Sequence, residues 1–448
     1  MSTNPYPPGP RVSHLDGFLL ATRRRDILNF LMKVAGEYGD IVHFRIGPKR
    51  IFLLNHPDYI KNALTSHYES FVKGQQIRRT RHFLGEGLLT SEGEFHRRQR
   101  RLIQPAFHRH HFTAHEAVIL EQGVRLSERW QHGLKLDVMR EMKRLMLAIT
   151  SQMTFGTKTD AEADEINEAV GLVISQFQLF GSPLANLLAK LPMSGARRIR
   201  KAQDQLDRIV SRIIAERRQS RQDHGDLLSM LIAAFDEPGS DAQKDEVHLR
   251  DEAVTFFLAG SETMGTALAW TWFLLAQDQA VQAELHAELD TVLGSRLPAL
   301  ADVAHLRYTK MVFAEAIRMY PPAWALARYL IKDFETGGYV LPAGSIVILS
   351  QYLMHHDPRY FPDPSRFDPQ RWTSEAKATR PQYSYFPFGG GPRGCLGEGL
   401  AWTQGTLLIA LIAQRWRMQA LPSLPMKLNP LITLQPKRKI MLQLAERG

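Results

Sequence analysis

FGGGPRGCLG, residues 388–397, contains the only cysteine of this chain, Cys395. Its glycines allow the backbone to turn tightly and to come close to a large, flat group. A thiolate binds soft metals, and backbone N–H groups of a tight loop can hold its negative charge. An inert cysteine is the alternative, because free cysteines are commonly buried. The glycines, together with Phe388 and Arg393, favour a cysteine that ligates iron.

Composition indicates a large globular chain with a basic surface. The 448 residues are 44% hydrophobic and 23% charged, enough for one large domain or several ordinary ones, and no repeat or long linker divides them. A single cysteine excludes an internal disulfide and fits a reducing cytoplasm. Residues 1–10 are polar and proline-rich, without the apolar core of a signal peptide or an anchor helix. The net charge of +10 suits an acidic partner, but no nucleic-acid-binding motif accompanies it.

Hydrophobic spacing predicts a mostly helical chain with small sheets. Segments 41–46 and 51–54 read as a hairpin. Apolar positions then recur at helical spacing over most of residues 115–293. Short strands and proline-rich turns dominate from residue 340, until a helix follows the cysteine loop.

The cysteine loop resembles the haem-binding loop of the cytochrome P450 family, Phe-x-x-Gly-x-Arg-x-Cys-x-Gly, at every fixed position. Three further signatures of that family occur upstream in the family's order, so the resemblance covers nearly the whole chain. It implies a mainly α fold with small β-sheets, shaped as a triangular prism with a long central helix over the haem. It also implies one haem domain over residues 1–448, β-rich at about 40–56 and 323–372, with no fused reductase.

The second signature is AGSET, residues 259–263, inside a long apolar run. It resembles the family's Ala/Gly-Gly-x-Asp/Glu-Thr, which lies on the oxygen-activating helix and here begins at Ala259. The resemblance implies that Gly260 makes room beside the iron and that the Thr263 hydroxyl holds iron-bound oxygen. Glu262 would help to deliver protons to that oxygen.

Each residue of this signature also has a plainer interpretation. Gly260 could be a helix-packing contact, and Thr263 could bond back to the carbonyl of Ala259. Glu262 could simply face water. Met264 stands where the family more often has Thr or Ser, which removes a second hydroxyl next to the site.

The third and fourth signatures are EAIR, residues 315–318, and PQRW, residues 369–372. Glu315 and Arg318 are three residues apart on a helix, a pairing distance, but surface pairs of this kind are worth only about 0–1 kcal/mol. The resemblance implies a structural brace in which Glu315 joins Arg318 and Arg371 behind the haem loop. Without Glu315, two buried guanidiniums would lack a counter-charge.

The implied cofactor is haem b (iron protoporphyrin IX) with the Cys395 thiolate as axial ligand. Its propionates need cations and donors. His96 and Arg100 correspond to the family's Trp-x-x-x-Arg, with His in place of Trp. The other expected haem contacts are Phe388, Gly389, Arg393, Leu396, Gly397 and Arg328.

Family position also predicts an apolar substrate pocket. Its expected lining is Phe83, Leu84, Leu88, Phe177, Phe180, Trp324, Leu326, Leu431 and Ile432. These side chains suit a lipophilic substrate such as a fatty acid, terpenoid, steroid or aromatic compound. An apolar stripe is equally typical of a helix that packs in a core, so the pattern alone does not separate lining from core.

The resemblance implies a monooxygenase that inserts one atom of O2 into its substrate, with electrons from NAD(P)H through partner proteins. A ferredoxin or flavodoxin with its reductase would dock at a basic face containing Arg97, Arg98 and Arg101. We expect a cytoplasmic monomer without a membrane anchor. A peroxygenase that uses hydrogen peroxide, and a non-enzymatic haem-thiolate sensor or binding protein, are the alternatives. The Glu262–Thr263 pair disfavours both, because neither needs a proton relay.

Overall fold

A computed structural model describes residues 6–12, 27–108, 112–156, 194–220, 225–235, 242–422 and 425–447 of this chain. Helices account for most of these residues, and the strands are short. The prediction of a mainly α chain with small sheets is therefore confirmed. None of the helices in these ranges is both long enough and apolar enough to cross a bilayer.

The helices of the described residues are numbered here in chain order. Their bounds are α1 Ile27–Tyr38, α2 Pro57–Leu64, α3 Gln75–Leu84, α4 Gly93–Ile103, α5 Phe112–Glu128, α6 Val138–Phe155, α7 Ser194–Ser220, α8 Leu227–Phe235, α9 Ala242–Gln277, α10 Gln279–Val292, α11 Arg307–Met319, α12 Gln351–His355, α13 Ser374–Ala378 and α14 Glu398–Arg415. Pro57 begins α2 because its missing N–H would be unpaired at that position anyway.

The strands are numbered in the same way. Their bounds are β1 Ile41–Ile46, β2 Lys49–Leu54, β3 Phe71–Lys73, β4 Lys135–Asp137, β5 Leu326–Leu330, β6 Phe334–Thr336, β7 Tyr339–Leu341, β8 Ile346–Leu349, β9 Trp416–Ala420, β10 Leu428–Pro430, β11 Leu434–Pro436 and β12 Met441–Glu446. The largest sheet has the order β1-β2-β8-β5-β3, in which only β2 and β8 run parallel. The smaller sheets are β4-β12-β9, β10-β11 and β6-β7.

The predicted hairpin is β1–β2, but its second strand begins two residues earlier than expected. Gly47 adopts a φ of +57°, in the left-handed region, so the turn needs only Gly47 and Pro48. Lys49 and Arg50 therefore pair with Ile46 and Arg45 instead of forming the turn.

Helix α9 is the central element of the core. It packs along α6, where a Cβ on Gly265 would lie 2.9 Å from the Cα of Lys143, so the two backbones approach closely. Trp270 of α9 stacks on Tyr320 at a ring distance of 4.1 Å. Its indole N–H donates to the carbonyl of Leu434 at 2.8 Å, which ties α9 to β11. These contacts hold α9 in place while residues near its middle border the site.

Candidate active site

The cysteine loop is closed by its own backbone at the start of α14. The amide of Cys395 donates to the carbonyl of Phe388 at 3.0 Å. Gly389 and Gly391 have φ angles of +72° and +64°, which favour glycine. A Cβ on Gly391 would lie 2.0 Å from the carbonyl oxygen of Leu64, so the loop packs directly on the end of α2. The loop conformation thus sets the position of the thiol.

Cys395 faces an enclosed space. Its side chain is accessible, yet the surrounding protein desolvates it enough to raise the pKa of the thiol. A hydrogen bond from the backbone of Gly397 and the charge of Arg100 act in the opposite direction on that pKa. An accessible sulfur that is surrounded by protein, with an N–H donor beside it, suits an iron ligand inside the fold.

The other residues of the loop pack around this sulfur. Phe388 meets Trp402 edge-to-face at a ring distance of 5.5 Å. A Cβ on Gly397 would lie 3.9 Å from the Cys395 sulfur, and one on Gly389 would lie 3.6 Å from Leu326. Both distances are ordinary van der Waals contacts, so at Gly389 it is the left-handed φ rather than crowding that favours glycine.

Positive side chains cluster around His96. Burial, then the charges of Lys73, Arg393 and Arg100, lower the pKa of His96 to about 3, so its imidazole is neutral and keeps one N–H to donate. Arg328 lies opposite Lys73 in the β3–β5 pair. Burial, and the proximity of Arg393, lower the pKa of Arg328 to about 10. The structure thus brings His96, Arg100, Arg328 and Arg393 together, as the resemblance implied.

The charge of this cluster is only partly balanced. Arg393 forms an ion pair with Glu92, and Arg100 donates to the carbonyl of Gly394 at 2.7 Å. Within the described ranges, Glu92 and Glu252 are the acids that offset the positive charge at the cluster. Burial favours the neutral forms of Lys73 and Glu252, so three arginines face Glu92. The two propionates of a haem would supply the missing negative charges. The cluster and the accessible thiol together fit haem.

Lys73 is a member of this cluster that sequence reasoning missed. It is buried, and burial is the main cause that lowers its pKa to about 7. The available signal was the strand FVK, in which Phe71 and Lys73 point to the same, buried face. A lysine in such a position needs partners, which makes it a candidate for a role at a site.

An open space borders α9 at Ala259. This residue is exposed, although Leu258 and Ser261 of the same helix are buried. One turn further on, the Thr263 hydroxyl donates to the Ala259 carbonyl at 2.6 Å, which is the plainer interpretation considered above. That bond uses the hydroxyl proton and leaves the lone pairs of Thr263 to accept hydrogen bonds from the open space.

Gly260 provides a helix-packing contact. A Cβ at this position would lie 3.3 Å from the methyl group of Thr150 on α6, tighter than an ordinary contact. Met264, the residue after Thr263, is buried in the main core. Gly260 therefore serves the α6–α9 interface in this structure.

Glu262 does not face water. Its carboxylate forms an ion pair with Lys143 of α6 at 3.0 Å and is only 14% exposed. The Thr433 hydroxyl donates to it at 2.8 Å, and the Gln435 amide donates at 2.5 Å. The acid of the AGSET segment is thus held by side chains from α6 and from the β10–β11 hairpin. No local pattern signals these partners, because they are more than 100 residues away in the sequence.

The three brace residues meet at the carboxylate of Glu315. Arg318 donates twice to Glu315, at 2.8 Å each, and both side chains are fully buried. The Arg371 Nε lies 3.3 Å from the same carboxylate. Trp372 also donates to it, at 2.9 Å. The structure brings together the three side chains that the resemblance joined.

The expected pocket residues are in different situations. Leu84 is fully buried among apolar residues of α7, α8 and α9, which leaves it no surface for a ligand. Leu88, Trp324, Leu326 and Leu431 are half-buried, and Ile432 is 42% exposed. The Trp324 indole donates to the Leu431 carbonyl at 2.8 Å, joining two of the segments. Phe177 and Phe180 lie outside the described residues, as does the side chain of Phe83.

Comparisons with known proteins place these features in a family. The family model for cytochrome P450 matches residues 7–444. The cyclooctat-9-en-7-ol 5-monooxygenase of Streptomyces melanosporofaciens is 37% identical, over 91% of this chain and 88% of that protein. The pentalenene oxygenase of Streptomyces avermitilis is 31% identical, over 94% of this chain and 93% of that protein. The crystal structure of a cytochrome P450DA heme domain has a TM-score of 0.87 at 24% identity and matches 99% of this chain and 98% of that one, which confirms the predicted fold.

Proposed function

The chain belongs to the cytochrome P450 family, and we propose that it inserts one oxygen atom of O2 into a cyclic terpenoid. It is a monooxygenase with haem ligated by a cysteine thiolate. The observation that carries the assignment of the haem to these residues is the accessible Cys395 thiol in an enclosed space, next to a cation cluster with excess positive charge.

The residues of the site would have three roles, namely iron ligation, hydrogen bonding and proton transfer. When bound, haem supplies the oxygen-activating chemistry. Cys395 would ligate its iron, with the Gly397 amide lowering the charge on sulfur. Thr263 would accept a hydrogen bond in the space beside Ala259, and the Glu262 carboxylate would pass protons on at the same part of α9. This division is supported by the exposed surface of α9 at Ala259, one turn from Thr263, and by the fixed position of the Glu262 carboxylate.

The remaining haem contacts would be electrostatic and steric. His96, Arg100, Arg328 and Arg393 would hold the propionates as donors or cations. Lys73 would add to the same positive potential. All five groups are part of one cluster in which positive charge exceeds negative charge.

The substrate class is proposed from the relatives and from the chemistry of the site. The two relatives are named for reactions on cyclooctat-9-en-7-ol and on pentalenene, both terpenoids. In this chain, Leu88, Trp324, Leu326 and Ile432 keep apolar surface that is not packed away. Such side chains exclude water and suit a hydrocarbon skeleton better than a polar one.

Electrons would come from NAD(P)H through a separate reductase and a ferredoxin- or flavodoxin-type protein in the cytoplasm. Arg97, Arg98 and Arg101 are exposed on α4. Arg100 of the same helix reaches the carbonyl of Gly394, one residue before Cys395. An acidic partner attracted to this face would therefore sit near the thiolate side of the haem. Arg101→Glu should slow reduction by an acidic ferredoxin, whereas Lys439→Glu, at an exposed position near β12, should not.

The first test is the absorption spectrum of the dithionite-reduced protein under carbon monoxide. A Soret band at the long wavelength typical of thiolate-ligated ferrous haem would support Cys395 as ligand. The shorter-wavelength band of a neutral ligand, or no haem at all, would contradict it. Titration with cyclic terpenoids, and with fatty acids as the comparison set, would then test the substrate class through the low-to-high-spin shift of the iron.

A further inference from the structure

A short turn between α3 and α4, residues 85–91, is held between two buried ionisable side chains, Glu252 and Lys73. The Leu88 amide donates to the Glu252 carboxylate at 3.0 Å, and Lys73 donates to the Leu88 carbonyl at 2.7 Å. Lys73 also donates to the Ser91 carbonyl at 2.8 Å. Glu252 of α9 and Lys73 of β3 thus bind the amide and the carbonyl of Leu88, respectively. We call the turn at residues 85–91 the clamped turn.

The clamped turn also lies directly on α9. The Glu86 amide donates to Asp251 at 2.6 Å. A Cβ on Gly87 would lie 2.3 Å from the Thr255 hydroxyl oxygen and 2.8 Å from the Asp251 carbonyl oxygen. Glycine is required at Gly87 because the backbones touch there. The turn therefore cannot approach α9 any more closely.

The contact face of α9 is continuous with the active site. Glu252 and Ala259 are seven residues apart, two turns of helix, so they lie on the same side of α9 at about 10 Å separation. Thr263 follows one turn further along this side. The clamped turn therefore contacts α9 one to two turns before Ala259, where Gly87 meets Thr255. Its Leu89 is 37% exposed, a large apolar side chain that is not packed into the core.

Burying two ionisable side chains is costly, and the electrostatic role proposed for Lys73 at the haem propionates does not account for Glu252. Glu252 is fully buried, and one of its carboxylate oxygens has no hydrogen-bond partner among the described residues. Lys73 is buried as well. A buried glutamate and lysine are normally replaceable by apolar residues where packing alone is needed. Glu252 and Lys73 differ from such replaceable residues because both bind the backbone of Leu88.

We propose that Glu252 and Lys73 are positioning residues that fix Leu88 and Leu89 at the wall of the substrate space and thereby determine which substrates fit. The selectivity in this statement rests on the proposed function, whereas the clamp itself does not. Neither side chain needs to touch the substrate. Their effect is transmitted through the backbone of the clamped turn.

The clamp is tested by hydrogen–deuterium exchange of the holoprotein, followed in peptides that contain residues 85–91. Glu252→Leu and Lys73→Met should each speed exchange in these peptides by about tenfold, since a buried hydrogen bond to the backbone of Leu88 is lost. Glu252→Gln keeps an acceptor and should stay close to wild type. Glu288→Leu is the matched control, because Glu288 accepts from the amides of Tyr308 and Thr309 in the same way at α11.

Selectivity is tested with two nitrogen ligands of haem iron that differ in size, imidazole and phenylimidazole. The ratio of their dissociation constants, read from the Soret shift, should change by about tenfold in Glu252→Leu and stay unchanged in Glu288→Leu. If Glu252→Leu does not fold, Lys73→Met releases the carbonyl side of Leu88 while Glu252 stays in place. The exchange and ligand measurements then apply to it in the same way.

The outcomes separate the clamp from the proposed function. Unchanged exchange at residues 85–91 in Glu252→Leu and Lys73→Met would overturn the clamp. Faster exchange with an unchanged ligand ratio would overturn the selectivity role. A wild-type protein that binds no haem would instead refute the proposed function, while the exchange result would still decide whether the clamp exists.

Discussion

Glu315 offers the sharpest test of the physical reasoning, because one carboxylate serves several buried donors. It receives both bonds from Arg318, one from the Trp372 indole and one from the Asp368 amide, and it lies in ion-pair distance of Arg371. Replacing Glu315 with alanine removes the carboxylate that these donors share. Arg318, fully buried, would keep carbonyl partners but lose its counter-charge.

The expected cost is that of breaking a buried ion pair by removing one partner, about 3–5 kcal/mol of the free energy of unfolding. This is a large part of the 5–15 kcal/mol that a folded domain typically has. We therefore expect Glu315→Ala to shift the urea midpoint strongly and to lose haem on purification. Urea unfolding followed by circular dichroism, together with the haem-to-protein absorbance ratio, measures both effects.

The chain contains its own control. Glu94 and Arg97 form the same Glu-x-x-Arg pair at i, i+3 on α4, but both side chains are exposed. Glu94→Ala should leave the urea midpoint and the haem content unchanged, because water screens that pair. A loss below about 1 kcal/mol in Glu315→Ala would refute the reasoning, since it would mean that a buried guanidinium needs no counter-charge here.

Four further outcomes are expected. Thr263→Ala should retain haem but divert reducing equivalents to hydrogen peroxide, measured as peroxide formed per NAD(P)H consumed; unchanged product per electron would contradict the role of Thr263. Cys395→Ala should abolish the thiolate-type spectrum of the reduced carbon monoxide complex, and its persistence would exclude Cys395 as ligand. Lys143→Met should leave the buried Glu262 without its cation and lower the rate of product formation more than the affinity for substrate, measured as kcat and KM; an effect on KM alone would argue against it. Burial raises the pKa of Glu252 from 4.5 to about 8, so between these values the folded state binds a proton that the unfolded state lacks, and stability falls as pH rises. Glu252→Gln should remove this slope, so its stability relative to wild type should increase from about pH 5 to pH 8 in urea titrations; parallel curves would contradict the shifted pKa.

The network around Glu262 suggests why the acid of the AGSET segment tolerates its buried position. A carboxylate in an apolar helix is costly unless it is paired. Lys143, Thr433 and Gln435 supply an ion pair and two hydrogen bonds to it. Ile432 lies in the same hairpin, next to Thr433. A movement of the hairpin turn would therefore shift a side chain that donates to the Glu262 carboxylate. The hairpin thus links a part of the expected pocket to the acid.

The sequence alone could not show which apolar residues line the pocket and which pack in the core. Leu84 and Leu88 were expected to line the pocket for the same reason, yet Leu84 is fully packed in the core and Leu88 is half-buried in the clamped turn. Core and pocket both select apolar side chains, so burial could not be assigned without the positions of α7, α8 and α9.

The sequence by itself determined the parts of this protein whose chemistry lies in a few adjacent residues. The cysteine with its glycines, the AGSET segment and the Glu-x-x-Arg pair are local patterns, because loop closure and helix spacing bring their side chains together without help from the rest of the chain. Only the tertiary structure decided which distant charges meet. Glu252 reaches Leu88 across 164 positions, and Thr433 reaches Glu262 across 171. Such partners are set by how all the helices and strands pack at once, and the charge balance of a buried group follows from that packing rather than from its neighbours in sequence.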